Sequence, residues 1–413
     1  MIWLKKKPML LLSLIKKLMP KIQILNLKSL LLIAFIFSFS HLFGQLNKNV
    51  KKAIETFNSG SIDKGISMMS KIVKKEPSTE NWDILVNMYF ERYKYATKNL
   101  SRELAVAIGR NMGANMKYKK YTNSNICFND LVLKCKEASI YSQSTTASML
   151  LRNFFVDYET DTTISKEATA EFQKGEEFFI KKDYTKAKQC YQNALDIEPN
   201  YFKAIIYLGD SHWYLDDLDS AIYYFNKGKN MHPNLLEPRK YLVDAYGYSK
   251  RNAEAKTECF EALSIYPDLS LFLKYNDLIK RENKTFNRHW TKRGCEINKI
   301  GHKESKVKNK AWSIYQSAKD DVKDKYDGNG ILITTSQLTT AKYLEVHSWE
   351  KMLTTLKSIP EDLSFAKKMH DLGYLDCFVF ISMFHIDLYP QYLDFTKNNK
   401  EKIRTYIETY LTE

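Results

Sequence analysis

The feature that most limits what this chain can fold into is a proline that returns at a fixed interval: Pro199, Pro233 and Pro267 are equally spaced along the sequence. Proline lacks a backbone N–H and clashes with the preceding helical turn, so each of these residues stops a helix. A chain that repeats its helix breaker at a constant stride is building one unit several times. Aligning 168–200, 202–234 and 236–268 on their prolines brings further columns into register. Ala187, Ala221 and Ala255 coincide, as do Tyr191, Phe225 and Cys259, and Ala194, Gly228 and Ala262. Earlier in the unit Gly175 and Gly209 align with Val243, and Phe178 and His212 with Tyr246.

These columns describe two antiparallel helices per unit, 168–181 and 184–197 in the first copy, with small residues where the two backbones approach. Gly175 is expected to face Ala187, with Phe178 and Tyr191 filling the volume beside them. Asp183, Asp217 and the pair Arg251 and Asn252 mark the turns between helices. One such pair cannot bury its apolar face alone, so neighbours must stack.

The pattern resembles the tetratricopeptide repeat. The residues that carry the resemblance are Gly175, Phe178, Ala187, Tyr191, Ala194 and Pro199, then Leu208, Gly209, Ala221 and Phe225. Lys174 stands where that family usually has Leu, and Val243 and Cys259 weaken the third copy. The resemblance covers about a quarter of the 413 residues.

Elsewhere Lys, Glu, Ala and Leu recur at helical spacing, and only 14 Gly and 9 Pro interrupt the chain. The expected fold is all-α, a tetratricopeptide-type α-solenoid of stacked antiparallel helix pairs followed by a C-terminal helical domain. The expected segments are an N-terminal extension and signal peptide at 1–44 and a helical region with a degenerate repeat at 45–156. A linker at 157–167 precedes three tandem repeats at 168–268. A capping helix and basic connector at 269–310 lead to the C-terminal domain at 311–413. Within 53–93 the order is helix, Gly-Ser turn, helix, Pro77, helix, with Phe57, Ile62, Ile66, Met69 and Ile72 on the apolar face.

The formal charge of +15 invites a nucleic-acid reading, but residues 1–44 hold seven Lys and no acid, and without them it falls to +8. Those lysines flank an apolar run at 29–43, shorter than the ~20 residues of a spanning helix. A basic start, a short apolar core and a polar segment after it describe a secretory signal peptide. Leu42 and Gly44 meet the small-x-small cleavage rule in part, so an uncleaved anchor is the alternative, and Met19 is an alternative start. The expectation is an exported protein, periplasmic or secreted and associated with the envelope, with no nucleic-acid partner and an open oligomeric state.

Of the six cysteines, Cys127 with Cys135 is the candidate local bridge, Cys190 and Cys259 fall on apolar faces, and Cys295 and Cys377 complete the count. There is no CxxC metal-knuckle spacing.

In the family the first helix of each pair lines the concave face. The resemblance therefore assigns partner contact to Phe172, Glu176 and Phe179 (with Ile180) in the first copy. The second copy supplies Lys203, Asp210, Trp213 and Tyr214 (with Ile206), and the third Lys240, Asp244 and Tyr248 (with Glu237). Glu176, Asp210 and Asp244 repeat with the spacing of the prolines, a row of carboxylates interleaved with aromatics. Such a row disfavours the Lys and Asn carboxylate clamp of some family members. It suits a ligand with basic or amide groups and apolar anchors, unless the acids are solvated and pair with Lys203 and Lys240.

The stretch 280–310 is rich in Lys and Arg around Phe286, His289 and Trp290. It reads as a solvated helix and connector, the alternative being a grip on an anionic glycan or lipid head group. In 311–413 the densest polar residues are His347 with Glu350, His370 with Asp371, and His385 with Asp387. None has HExxH spacing, and the chain has no GxSxG, GxxxxGK[ST] or GxGxxG motif. The expected function is a non-enzymatic scaffold, without cofactor or metal, that binds a protein or peptide in its groove. The rival reading makes the C-terminal domain a metal-dependent enzyme with the repeats as its adaptor.

Overall fold

Each repeated proline follows the end of a helix in a computed structural model that describes residues 47–109, 114–156, 163–294, 309–333 and 341–413, with side chains described outside 97–125. The chain divides into two compact units, Met1–Leu131 and Val132–Glu413.

In the first unit α1 (Lys48–Asn58) and α2 (Ile62–Lys75) form a hairpin, followed beyond Pro77 by α3 (Thr79–Gly109) and the start of α4 (Ala114–Tyr141). Gly60 takes φ +95° in the turn, a value L side chains rarely adopt. A Cβ on Gly65 would lie 2.6 Å from Phe57 Cβ, so the hairpin closes on that glycine. Arg92 of α3 ties the unit together through Asp63 of α2, at 3.4 Å, and Asp130 of α4.

Cys127 and Cys135 are both free thiols. This corrects the expected bridge: both lie on α4, and eight residues of helix separate them by ~12 Å along the axis, beyond the reach of a disulfide. Cys295 lies outside the described residues.

The second unit holds α5 (Thr145–Phe155) and then the repeats. The pairs are α6 (Lys166–Ile180) with α7 (Tyr184–Ile197), α8 (Phe202–Tyr214) with α9 (Leu218–Met231), and α10 (Leu236–Tyr248) with α11 (Asn252–Ile265). A final helix, α12 (Leu269–Ile279), continues the register as a half unit. Every turn inside a pair carries one left-handed residue at the same place: Lys182, Asp216 and Lys250, with φ of 63°, 59° and 60°. The next residue caps the second helix in two copies. Asp183 accepts from Lys186 N at 3.2 Å, and Asp217 from Ser220 N at 3.3 Å. Arg251 makes no such cap.

The glycine column works differently from the expectation. The nearest atoms to a Cβ on Gly175 belong to the Tyr191 ring, at 2.5 Å, and on Gly209 to the Phe225 ring, at 2.7 Å, rather than to Ala187 or Ala221. The missing side chain makes room for an aromatic ring, and the alanine one turn earlier is buried on its own account. The third copy inverts the sizes, with Val243 where the glycines stand and Cys259 where the rings stand, both buried. Large with small is kept, and its order is exchanged.

After α12 the chain runs extended. Thr285 and Glu413 exchange backbone hydrogen bonds of 2.8 and 2.9 Å, and Asn287 N donates to Leu411 O at 2.9 Å. The C-terminal part contains α13 (Lys310–Val322), α14 (Leu344–Thr355), α15 (Ser364–Asp371) and α16 (Tyr389–Tyr410). The apolar run at its centre is a short helical turn, Leu375–Cys377, continued by one π turn, Phe378–Ser382, whose first four residues have no exposure. Only isolated β-bridges accompany the helices among the described residues, so the fold is all-α, an α-solenoid with a helical C-terminal part.

The basic connector is not a solvated helix. Beyond a single 3₁₀ turn it is extended, and Arg288 and Arg293 are buried. Arg288 donates through Nε and Nη2 to Ser382 O at 3.0 and 2.9 Å, and Arg293 Nη2 donates to Met383 O at 3.0 Å. The last carbonyls of a helical turn have no intrahelical partner and carry the negative end of its dipole. The two guanidiniums go there instead of to solvent. Residues 295–308 of this stretch lie outside the described residues.

The size exchange in the third copy sets a test. Gly209→Val alone is expected to lower stability by about 1–3 kcal/mol through overpacking. Adding Phe225→Cys, which copies the Val243 and Cys259 arrangement, should cost less than the sum of the single changes. Strict additivity in a urea double-mutant cycle would show that the two positions do not share one space.

Candidate partner-binding face

The first helices of the pairs present the ten residues assigned to partner contact, and burial sorts them. Lys203 and Tyr248 are exposed, and Ile180 beside them is 57% exposed. Phe172, Glu176, Tyr214, Lys240 and Asp244 are half-buried. Phe179, Asp210 and Trp213 are buried.

Trp213, expected to line the hollow, instead belongs to the core that Phe202, Ile206, Ala221, Phe225 and Leu242 build between the second and third pairs. The reason is its column. Phe179 lies 5.4 Å from Tyr214 of the next first helix, and Trp213 lies 5.3 Å from Tyr248 of the one after, between ring centroids. In the third copy the same place is Gly247, where a Cβ would meet Leu278 of α12 at 3.0 Å. This column fills the seam between successive first helices. The column one residue later, Ile180, Tyr214 and Tyr248, stands at its rim.

The three carboxylates are equally spaced but unequally used. Glu176 accepts the Tyr191 hydroxyl at 2.7 Å. Asp244 is paired with Lys274 of α12. Asp210 is buried, and Tyr207, Tyr214 and Tyr241 lie within its electrostatic reach. Burial, and after it Glu176, Glu237 and Asp210, push the Tyr207 hydroxyl well above the usual phenol range. The row is a ladder of acids and tyrosines built into the stack, not an open anionic clamp.

Lys240 turns to Asp268, at 3.9 Å. Asp268 caps α12 by accepting from Ser270 N at 2.7 Å, and receives Arg152 of α5 at 2.5 Å, with both side chains 4% exposed. Burial pulls the Asp268 carboxyl upward, but Lys240 and Arg152 outweigh it and hold it well below the carboxylate range. Burial lowers the Lys240 amine to about 8 against the pull of Asp268. Lys274 was legible, because it stands one full repeat after Lys240. Arg152 was not, because nothing local marks a partner 116 residues away.

In the C-terminal part the three histidines do not converge. His370 Nδ1 lies 3.0 Å from Asp371, which Lys367 also holds at 2.5 Å. His347 is buried, and burial lowers its pKa. His385 is 3% exposed, with Nδ1 3.8 Å from Asp387, itself held by Lys136 at 2.5 Å. No group of three or more His, Cys, Asp or Glu side chains suited to a metal occurs among the described residues. The buried carboxylate is one that sequence reasoning missed, Glu345. It receives Arg293 at 3.0 Å, the Tyr315 hydroxyl at 2.5 Å, Trp349 Nε1 at 3.2 Å and Lys319 at 2.5 Å. Burial alone would raise its pKa, but Lys319, Arg293 and His385 hold it well below the usual range. A carboxylate so fully engaged is a fastening between α13, α14 and the connector.

Antiparallel helix pairs stacked in a constant register define the α-solenoid class. Residues 169–201 match the family model of the tetratricopeptide repeat. That match spans one helix pair of the stack, α6 with α7. Among curated proteins none matches. Among solved structures it is similar to the first tetratricopeptide domain of Spaghetti (RPAP3) bound to an HSP90 peptide. The two are 17% identical, the match covers 29% of this chain and 95% of that one, and the TM-score is 0.28. The TPR2AB domain of yeast Sti1, in its pHSP90 complex, is 15% identical over 56% of this chain and 97% of that one, at TM-score 0.27. The C-terminal part of a repeat protein from Cytophaga hutchinsonii is 15% identical over 55% and 98%, at 0.24.

Two outcomes follow from this geometry. Trp213→Ala is expected to cost about 3–5 kcal/mol of stability as a core truncation, and a variant as stable as the parent in urea would put the indole outside the core. Asp268 and Glu345 have folded pKa values below their unfolded ones. Their stabilisation is therefore present above about pH 4 and lost as pH falls through the folded values. The unfolding midpoint should drop on that acid limb, and Glu345→Gln should flatten the drop while lowering stability at pH 7.

Proposed function

We propose that this protein is an exported, non-enzymatic scaffold that holds a protein or peptide partner against the first helices of its repeat pairs, within an envelope-associated assembly. The observation that carries the reading is the rim column. Ile180, Tyr214 and Tyr248 occupy one position in three consecutive first helices, and Ile180 and Tyr248 are 57% and 54% exposed. Apolar and aromatic side chains held on packed helices supply desolvated contact at low ordering cost. The carboxylates behind them are engaged in the stack, so the reading rests on the rim and on Lys203 rather than on an acidic clamp. The C-terminal helical part serves as a second platform.

Export is supported by the seven lysines and the apolar run within 1–44. The experiment captures the partner from the native envelope with the mature chain and identifies it by mass spectrometry. Calorimetry then compares the parent with Tyr248→Ala and Ile180→Ala. Each substitution should weaken binding about tenfold, the effect of losing one well-placed apolar contact, with circular dichroism unchanged. Unaltered affinity in both variants removes the partner from this face. N-terminal sequencing of fractionated native protein tests export separately: an intact N-terminus in the cytosol would refute it.

A further inference from the structure

One column of the first helices runs Phe172, Ile206, Lys240 and Lys274, and changes from apolar to cationic between the second and third copies. Lys274 is paired with Asp244. Lys240 has no such partner: its Nζ stands 3.9 Å from Asp268 Oδ1 and makes no hydrogen bond among the described residues. Asp268 is already engaged on both oxygens. Its Oδ1 accepts from Ser270 N and Oγ at 2.7 and 2.5 Å, and its Oδ2 from Arg152 at 2.5 Å. An ammonium has three N–H groups to place, and the Lys240 side chain is 17% exposed, enough to be reached from outside. Burial is the main reason its amine sits at about 8, and Arg152 and Lys274 push the same way against Asp268 and Asp244.

The carboxylates of these helices are taken up by the stack itself. Glu176 accepts the Tyr191 hydroxyl at 2.7 Å, Glu237 accepts the Tyr241 hydroxyl at 3.2 Å, and Asp210 is buried. Around Lys240 the cations Arg152, Lys240 and Lys274 outnumber Asp244 and Asp268 by one. Lys203 of α8 is exposed. The charge left to a partner on the first helices is therefore positive, and complementary charge is what selects a partner and fixes its register. The stack continues past Lys240 into α12, so a segment lying across it runs on, and a side chain rather than a chain end meets the amine. Resting on the docking face assigned above, we propose that the bound segment sets an internal Asp or Glu side chain against Lys240, with its apolar residues toward the first repeat. Lys240 then fixes the direction in which the partner lies.

The test is fluorescence anisotropy on the full chain at fixed ionic strength. The probes are acetylated, amidated peptides with Leu at every third residue, matching the step between first helices, and one central Glu, Gln or Lys. At about pH 7 the Glu peptide should bind about tenfold tighter than the Gln peptide, and the Lys peptide most weakly. The protonated amine is the binding form, so the Glu preference should fade between about pH 7 and about pH 9 while the Gln peptide is unaffected. Lys240→Met should erase the preference at every pH. Lys240→Arg, which stays charged, should keep the preference and flatten its pH profile. Equal affinity for the Glu and Gln peptides, with both weakened by Tyr248→Ala, would overturn the acid contact and leave the docking face standing. No binding of any peptide, or binding that Tyr248→Ala and Ile180→Ala leave unchanged, would overturn both. A Glu preference that survives in Lys240→Met places the contact elsewhere and also overturns it. If Lys240→Met fails to fold by circular dichroism, the pH profiles of the parent and Lys240→Arg decide.

Discussion

The middle of this molecule depends on one steric arrangement, an aromatic ring lying where the facing helix has no side chain. Gly175 under Tyr191 and Gly209 under Phe225 bring two helices closer than any larger residue permits, with Cβ positions at 2.5 and 2.7 Å from ring atoms. Interiors this dense tolerate neither void nor excess. That is why the third copy, with Val243 in the glycine's place, carries Cys259 instead of a ring. What recurs from unit to unit is a summed volume. The identity of each residue follows from its partner.

Stacking then consumes much of what the first helices carry. Phe179 and Trp213 close the seams between neighbours, Glu176 is bonded to Tyr191, and Asp244 is paired with the helix that follows. A surface drawn from one helix alone counts all these groups as available. The stacked array leaves Ile180, Tyr248 and Lys203 exposed. The same economy governs the C-terminal part, where Glu345 gathers two cations and two neutral donors and the connector's arginines close the end of a π turn.

How much of this was legible follows from how local each cause is. Prolines, turn residues and the glycine column act within one unit, so their period placed the helix pairs to within two residues at α6 and α7. The Lys240 and Lys274 relation is a simple extension of that period. The burial of Trp213 was misread because exposure at a helix position depends on the next unit, and the sequence of one pair does not contain it. Arg152 with Asp268 and Arg293 with Glu345 join segments 116 and 52 residues apart. Ion pairs at such separation leave no periodicity, and a buried Arg reads in sequence as one more surface charge. The basic stretch was misjudged for that reason.

The left-handed residues Lys182, Asp216 and Lys250 give all three hairpins the same bend without a glycine. Identical bends make the array a ruler. Neighbouring helices pack about 8–10 Å apart, and an extended chain advances about 3.3 Å per residue. A strand laid across the rim would therefore meet a new rung at roughly every third residue. The molecule would measure the spacing of side chains in such a strand before it discriminated among their chemistries.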